Sequence, residues 1–229
     1  MKQDYTIFID SGHGITTELK QKFSPRLNED MNIPKEFTSD GRFREGRFNR
    51  EVANDLVASL KGLGYDARML VTEEREDVSL AERCRRVNAV CNEKGASKVI
   101  LVSIHANAFG TGNEWTTAKG WEVWTSPGET KSDKLATFIY NRAKQIVFPG
   151  KSMRSDFCDG DPDKESKFYI LVHTNCPAVL TENFFYTNKC DLMYMTSDVG
   201  RHHIVRTHVE GICDFINWLE INKKKTNLL

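Results

Sequence analysis

KVILVSIH, residues Lys98–His105, is the most apolar run in the chain, and it closes on an imidazole. Its near-continuous Val, Ile and Leu content predicts a central strand covered on both faces, the pattern of a parallel sheet. Working outward, YTIFID (Tyr5–Asp10) is short, β-branched and aromatic and runs into Ser11-Gly12, which predicts a strand followed by a tight turn. ARMLV (Ala67–Val71), the stretch Gly120–Thr125 and AVLTE (Ala178–Glu182) read as further strands. Between them, Val52, Ala53, Leu56, Val57 and Leu60 recur at helical spacing until Gly62 and Gly64. Leu80, Cys84, Val87 and Cys91 mark a second helix that stops at Gly95, and Leu135, Phe138, Ile139, Ala143 and Ile146 a third. A last helix carries Ile204, Val205, His208, Val209, Ile212, Phe215, Ile216 and Leu219. Strands alternating with helices predict an α/β layer fold with a largely parallel sheet.

The chain has 229 residues, enough for one large domain at roughly 150 residues per domain, and no linker or repeat divides it. Residues 1–222 are expected to form that domain, and 223–229 a basic tail that frays into solvent. Lys plus Arg (32) balances Asp plus Glu (32), so affinity from a strongly basic surface is excluded, and no nucleic-acid motif is present. No apolar run approaches the roughly 20 residues of a membrane span. The six cysteines lack close spacing, which argues against a disulfide framework or a thiolate zinc site and predicts that most are buried or half-buried thiols. Two polar stretches, Ile15–Arg44 and Pro149–Lys167 with its run DGDPDKES, interrupt the rhythm and are candidate walls of a substrate groove.

Ligands of open α/β sheets bind beyond the carboxyl ends of the strands. His13 lies just past the first strand, His105 closes the central one, and Glu182 closes the strand after Pro177. Two imidazoles converging on one edge suit Zn²⁺, whose catalytic sites take three His or carboxylate ligands and leave a position for water. Glu45, just ahead of the first helix in GRFREGRFNREVANDL, is the best third ligand, because the positive end of the helix dipole favours its ionised form. Glu51 is its rival, within the helical segment. His202, His203 and His208 share the last helix, but His203 and His208 are five apart rather than four, which argues against a second metal site.

Taken together, IFIDSGHG, the E-x-x-x-N of Glu45–Asn49, GLGYDARML, VSLAERCRRVN, SIHANA, AKGWEVW and PAVLTENFFYTN resemble, in order, the blocks of the zinc-dependent N-acetylmuramoyl-L-alanine amidases over about residues 5 to 216. The resemblance implies a twisted, mostly parallel sheet flanked by helices, with zinc held at its carboxyl edge by His13, Glu45 and His105, and Glu182 as the catalytic glutamate. Glu45 lies 19 residues before Gly64, close to the family spacing, whereas Glu51 lies 13 before it. The chain departs from the family at Ser11, where Pro is frequent, at Asn183, where Gly is commoner, and in the length of Ile15–Arg44. His173 stands where many relatives carry Arg and is a secondary candidate for the cleft, beside a core role. Asn107, two residues after a ligand, is a candidate to orient substrate or a ligand's partner, while Arg83 and Asn88 read as helix-to-core or surface groups.

The expected activity is therefore hydrolysis of the amide between N-acetylmuramic acid and L-alanine in peptidoglycan, in an open groove that admits a polymer. Trp115, Trp121 and Trp124, beside an expected edge strand, could offer an aromatic face to sugar or stem peptide, with at least one of them in the core. Rivals are a zinc peptidase cutting another wall bond and a wall-binding protein of the same fold without turnover. The substrate lies outside the cytoplasmic membrane, yet the chain shows no export signal. The expectation is either a phage-type lysin released through a lesion made by another protein or a chain that has lost its leader.

Overall fold

The computed structural model describes residues 2–14, 22–74, 77–147 and 150–226. A six-stranded sheet has the order β4 (Asp66–Met69), β1 (Thr6–Ser11), β5 (Val99–Asn107), β8 (Ala178–Phe185), β6 (Glu122–Thr125), β7 (Lys164–Glu165). The first four are parallel; β6 runs antiparallel to β8, and the two-residue β7 follows β6 in parallel. The expected edge strand at Gly120–Thr125 is thus an inner strand, covered by β7. A hairpin of β2 (Thr38–Ser39) and β3 (Arg42–Phe43) stands apart.

Pleating divides the core between two layers. In β5, Ile100, Val102 and Ile104 face the larger layer under α1 (Glu45–Gly62), α3 (Lys131–Ile146) and α6 (Asp198–Thr226), while Val99 and Leu101 face α2 (Leu80–Lys94) and the single turn α4 (Tyr169–Val172). Every side chain from Val99 to Ile104 is buried, which is why the strand reads as an unbroken apolar run. The short helix α5 (Lys189–Thr196) packs against α6 and the end of β8. Gly211 lets α6 approach α3 closely, since a Cβ there would stand 2.6 Å from the Cα of Ile139.

The last helix continues to Thr226, so the tail expected to fray from residue 223 is helical up to that point; Lys223, Lys224 and Lys225 occupy its last turn, where cations interact favourably with the helix dipole. Residues 227–229 lie outside the described residues, as do 15–21 of the first polar stretch and Pro149 of the second. The remainder of the first stretch, residues 22–44, is mostly irregular and includes the β2–β3 hairpin, with Phe37 and Phe43 fully buried. All six cysteines are free thiols, and most are withdrawn from solvent as expected: Cys84, Cys91 and Cys176 are buried and Cys213 half-buried, while Cys158 and Cys190 are exposed.

Two buried polar arrangements tie the layers to the sheet. Arg83 of α2 donates from Nη1 to Asp10 Oδ1 at 2.7 Å and to the Ser11 carbonyl at 2.8 Å, and from Nε to the Val78 carbonyl; Ser103 Oγ donates to the other Asp10 oxygen. On the opposite layer His208 Nδ1–H donates to the Ile204 carbonyl at 2.7 Å, leaving Nε2 to accept from the Thr181 hydroxyl at 2.9 Å. Thr181 accepts from Asn183 Nδ2, which also donates to the His105 carbonyl, and Asn183 Oδ1 accepts the Trp121 indole N–H. Two histidines of α6 are thus structural: His203 bonds the Tyr194 hydroxyl and His208 is fully buried, while His202 is exposed.

Replacing Arg83 by Met strands the Asp10 carboxylate and is expected to cost about 3–5 kcal/mol in urea unfolding, most of it recovered in the Arg83→Met/Asp10→Leu double variant. A loss no greater than that of the exposed Arg85→Met contradicts this. Burial lowers the His208 pKa to about 4, so the unfolded chain takes up the proton first on acidification. The stabilisation it provides is full above the unfolded value near 6.5 and is lost as pH falls from there to about 4. The stability difference between the wild type and His208→Gln should accordingly shrink by about 3 kcal/mol between pH 7 and pH 4; parallel pH profiles would contradict it.

Candidate functional site

The first strand delivers its imidazole through a forced turn. Gly12 N–H donates to the Ile104 carbonyl at 2.9 Å, which holds the chain against β5, and His13 then adopts a left-handed backbone with φ 62°. Such a conformation in a non-glycine residue costs free energy and concentrates at functional sites. Gly12 has to lack a side chain, because a Cβ there would fall 2.2 Å from the His105 ring.

Glu45 is the first residue of α1 and only 3% exposed. Its Oε1 lies 3.5 Å from His13 Nε2 and 3.3 Å from His105 Nδ1, and it accepts from the Ala106 N–H and from Asn49 Nδ2, each at 3.2 Å. Asn49 Nδ2 also donates to the Gly12 carbonyl at 3.0 Å, so one amide couples the helix to the turn that carries His13. That accounts for the E-x-x-x-N spacing: residues four apart share a helix face. The two imidazoles stand edge to face with centroids 5.0 Å apart. His13, Glu45 and His105 each bring one ligand atom within 4.8 Å of the others, a group able to hold a metal ion. Glu51 is exposed and outside this group.

The charges are mutually dependent. Burial opposes ionisation of Glu45, but the two histidines and the Ala106 N–H outweigh it, and its pKa falls. Burial holds the His13 pKa down despite Glu45. For His105, burial also favours the neutral ring, but Glu45, Glu182 and Asp10 together reverse the balance and raise its pKa.

Glu182 comes from the neighbouring strand. In the β5–β8 register it sits directly opposite His105, and in the β8–β6 register directly opposite Glu122. Just past it, one residue of β5 faces two of β8, and Phe184 takes a left-handed φ of 71°, a bulge of the kind found beside functional sites. Glu182 Oε2 is buried without a hydrogen-bond partner. Desolvation pushes the pKa up to about 8; His105 opposes the rise, while the charges of Glu45 and Glu122 add to it. Glu122 is itself kept ionised against burial by Lys164 and Arg154, 2.8 and 2.7 Å from its Oε2.

His13, His105 and Glu182 open onto a cleft of about 860 Å³ whose walls include Phe23, Arg83, Phe168, Tyr169 and Tyr186. Several expected residues lie elsewhere. Asn107 points to Glu122 Oε1 at 2.7 Å and is absent from the cleft lining. His173 is exposed outside the cleft and stacks on Tyr169, ring centroids 3.9 Å apart. Asn88 clasps the same turn, donating to the His173 carbonyl and accepting the Asn175 N–H. None of the three tryptophans lines the cleft: Trp121 is fully buried, Trp115 packs on the core, and Trp124 packs on Phe168 beneath Lys164. The first polar stretch supplies Lys22 and Phe23 to the wall; the described part of the second supplies nothing, because it is pinned along the β6 edge by the Trp121–Met153 bridge and by β7.

Asn49, Glu122 and Asn183 are supporting residues to which the sequence assigned no role. Asn49 was signalled by its i+4 spacing from Glu45; the other two became visible only through cross-strand partners.

Comparison with known proteins agrees with this architecture. The endolysin of Bacillus phage SPP1 is 25% identical over 182 residues, 77% of this chain and 61% of that protein, so the chain spans about three-fifths of the length of this curated relative. Among solved structures, an N-acetylmuramoyl-L-alanine amidase from Clostridium difficile 630 superposes with a TM-score of 0.69 at 24% identity, covering 95% of this chain and 98% of that one. The amidase Ami1 from Mycobacterium smegmatis gives a TM-score of 0.71 at 20% identity, covering 94% and 98%. The family model for N-acetylmuramoyl-L-alanine amidases matches residues 7–214, and the chain belongs to that family.

Proposed function

We propose that this chain is a zinc-dependent hydrolase that cuts the amide between N-acetylmuramic acid and L-alanine in peptidoglycan, with residues 1–222 acting as one catalytic domain. The observation that carries the reading is the lateral pairing of His105 with Glu182, which sets a carboxyl group beside the His13–Glu45–His105 group on one cleft. The donor set fits zinc: two imidazoles and a carboxylate match catalytic zinc ligation, and ligands about 2.1 Å from a tetrahedral ion stand about 3.4 Å apart. The Glu45-to-histidine distances of 3.5 and 3.3 Å agree with that spacing.

His13, Glu45 and His105 would hold the metal. When bound, zinc supplies Lewis acidity, polarising the amide carbonyl and making water a stronger nucleophile near neutral pH. Glu182 would take the proton of the attacking water and return one to the alanine nitrogen as the C–N bond breaks. A carboxyl group with both protonation states accessible near neutral pH suits this double role. Asn49 would hold the Glu45 carboxylate in place, and Asn183 the His105 backbone. The Arg83–Asp10 pair would keep the floor of the cleft rigid under a polymeric substrate.

The site of action would be the cell wall, outside the cytoplasmic membrane; the phage endolysin relative supports a lysin-type role. Among the described residues no helix is long and apolar enough to cross a membrane.

Glu182→Gln should keep about one zinc per chain by elemental analysis while cleavage falls by at least about 10²-fold; retained turnover would remove Glu182 from the mechanism. His13→Ala, Glu45→Ala and His105→Ala should each bring zinc below stoichiometry, and an unchanged zinc content would exclude that residue as a ligand. Digestion of purified peptidoglycan should release new N-terminal alanine without new reducing ends. New reducing ends would indicate a glycosidase, and a different new N-terminus a peptidase of another wall bond.

A further inference from the structure

A second group of carboxylates lies away from the cleft and plays no part in the proposed hydrolysis. Asp133 stands in the first turn of α3, and Asp161 and Asp163 precede β7 in the run DGDPDKES; one oxygen from each lies within 4.8 Å of the others. Asp163 is 2% and Asp133 6% exposed. Asp161 Oδ1 and Asp163 Oδ1 are buried with no donor group to meet them, and the hydrogen bond open to them is a proton shared between the two carboxyl groups, a costly arrangement when both are ionised. Thr125 Oγ1 donates to the other Asp163 oxygen at 2.5 Å, and Asp133 accepts the Thr130 N–H. Among the described residues no Lys, Arg or His forms an ion pair with any of the three.

We propose that Asp133, Asp161 and Asp163 form a structural calcium site, with the Thr125 hydroxyl as a further oxygen donor. The Asp163 oxygen that no donor group meets, on a side chain 2% exposed, is the second observation, beyond the clustering itself, that asks for a cation. The group offers only oxygen, with no imidazole or thiolate, which selects a hard cation over zinc. Calcium accepts irregular carboxylate-rich shells, whereas magnesium demands a tight octahedron and retains its waters. In the absence of a cation the group relieves its repulsion with a proton: burial and the hydrogen bond shared with Asp161 push the Asp163 carboxyl up to about 8.

The site is joined to the cleft by the next few residues of the chain. Lys164, adjacent to Asp163, holds Glu122 opposite Glu182; Ser166 N–H then bonds the Thr125 carbonyl, and Phe168, Tyr169 and Ile170 form a wall of the cleft. A cation here fixes β7 and the start of that wall to the N-terminus of α3.

The test is a calcium titration of the full zinc-loaded chain in calcium-depleted buffer at constant zinc, followed by calorimetry and thermal unfolding, with magnesium in parallel. Saturable binding is expected, with Kd about 10⁻⁴–10⁻³ M as in extracellular modules. The midpoint should rise by about 3–6 °C at calcium tenfold above Kd. Asp163→Asn and Asp161→Asn should lose the rise and keep their zinc; if the buried Asp163→Asn fails to fold, the half-exposed Asp161→Asn decides. A flat calcium titration, an equal response to magnesium, or an undiminished rise in Asp161→Asn overturns the proposal. Zinc content and amide cleavage are read separately, so failure here leaves the proposed hydrolysis untouched.

Discussion

The Glu45 carboxylate, almost wholly withdrawn from water between two imidazoles, is the constraint around which the sheet edge is organised. A buried charge survives only where partners replace its hydration. The four partners come from three parts of the chain: His13 from the turn after β1, His105 and the Ala106 N–H from β5, and Asn49 from the next turn of α1. The left-handed backbone at His13 and the missing side chain at Gly12 follow from that demand. They are local conformational costs accepted so that three donors can converge.

The same logic of satisfying buried polar groups divides the two faces of the sheet. On the α2 face, Asp10 and Ser103 meet Arg83, placing an ion pair under the cleft. On the α6 face, His208, Thr181 and Asn183 form a chain of hydrogen bonds that ends on the His105 carbonyl. His105 is thereby gripped through its ring by Glu45 and through its backbone by Asn183. Asn183, a departure from the commoner glycine, bonds the Trp121 indole in the same network, which binds β8 to β6 beside Glu182.

Much of the fold was legible because its signals are local. The apolar run Val99–Ile104 is buried on both faces, as such runs are in parallel sheets, and the helical periodicities of α1, α2, α3 and α6 match their packed sides except at Leu80, which is exposed on the cleft wall. Short elements were not legible: α4, α5, β7 and the β2–β3 hairpin are too brief to display a period. The tryptophans misled for a related reason. AKGWEVW looks like an exposed aromatic strand only if β6 is an edge, and the two residues of β7 that cover it leave almost no trace in sequence. Asn107, two residues after His105, would share its face in a regular strand, but the bulge between them lets its amide turn to Glu122, and the turn that carries His173 takes its ring past the cleft mouth.

The sequence by itself determined the alternation of elements and the strand-end positions of His13, His105 and Glu182, because periodicity and chain order record these directly, while the spacing that favoured Glu45 over Glu51 was read from the family resemblance. Tertiary structure alone decided which strands lie side by side, and hence that His105 faces Glu182 and Glu182 faces Glu122. It also decided that Asp133 meets Asp161 and Asp163 across nearly thirty residues. Such pairings depend on sheet order and on burial, and burial is what turns a carboxylate in a polar sequence into one that must be neutralised, shared or bound to a cation.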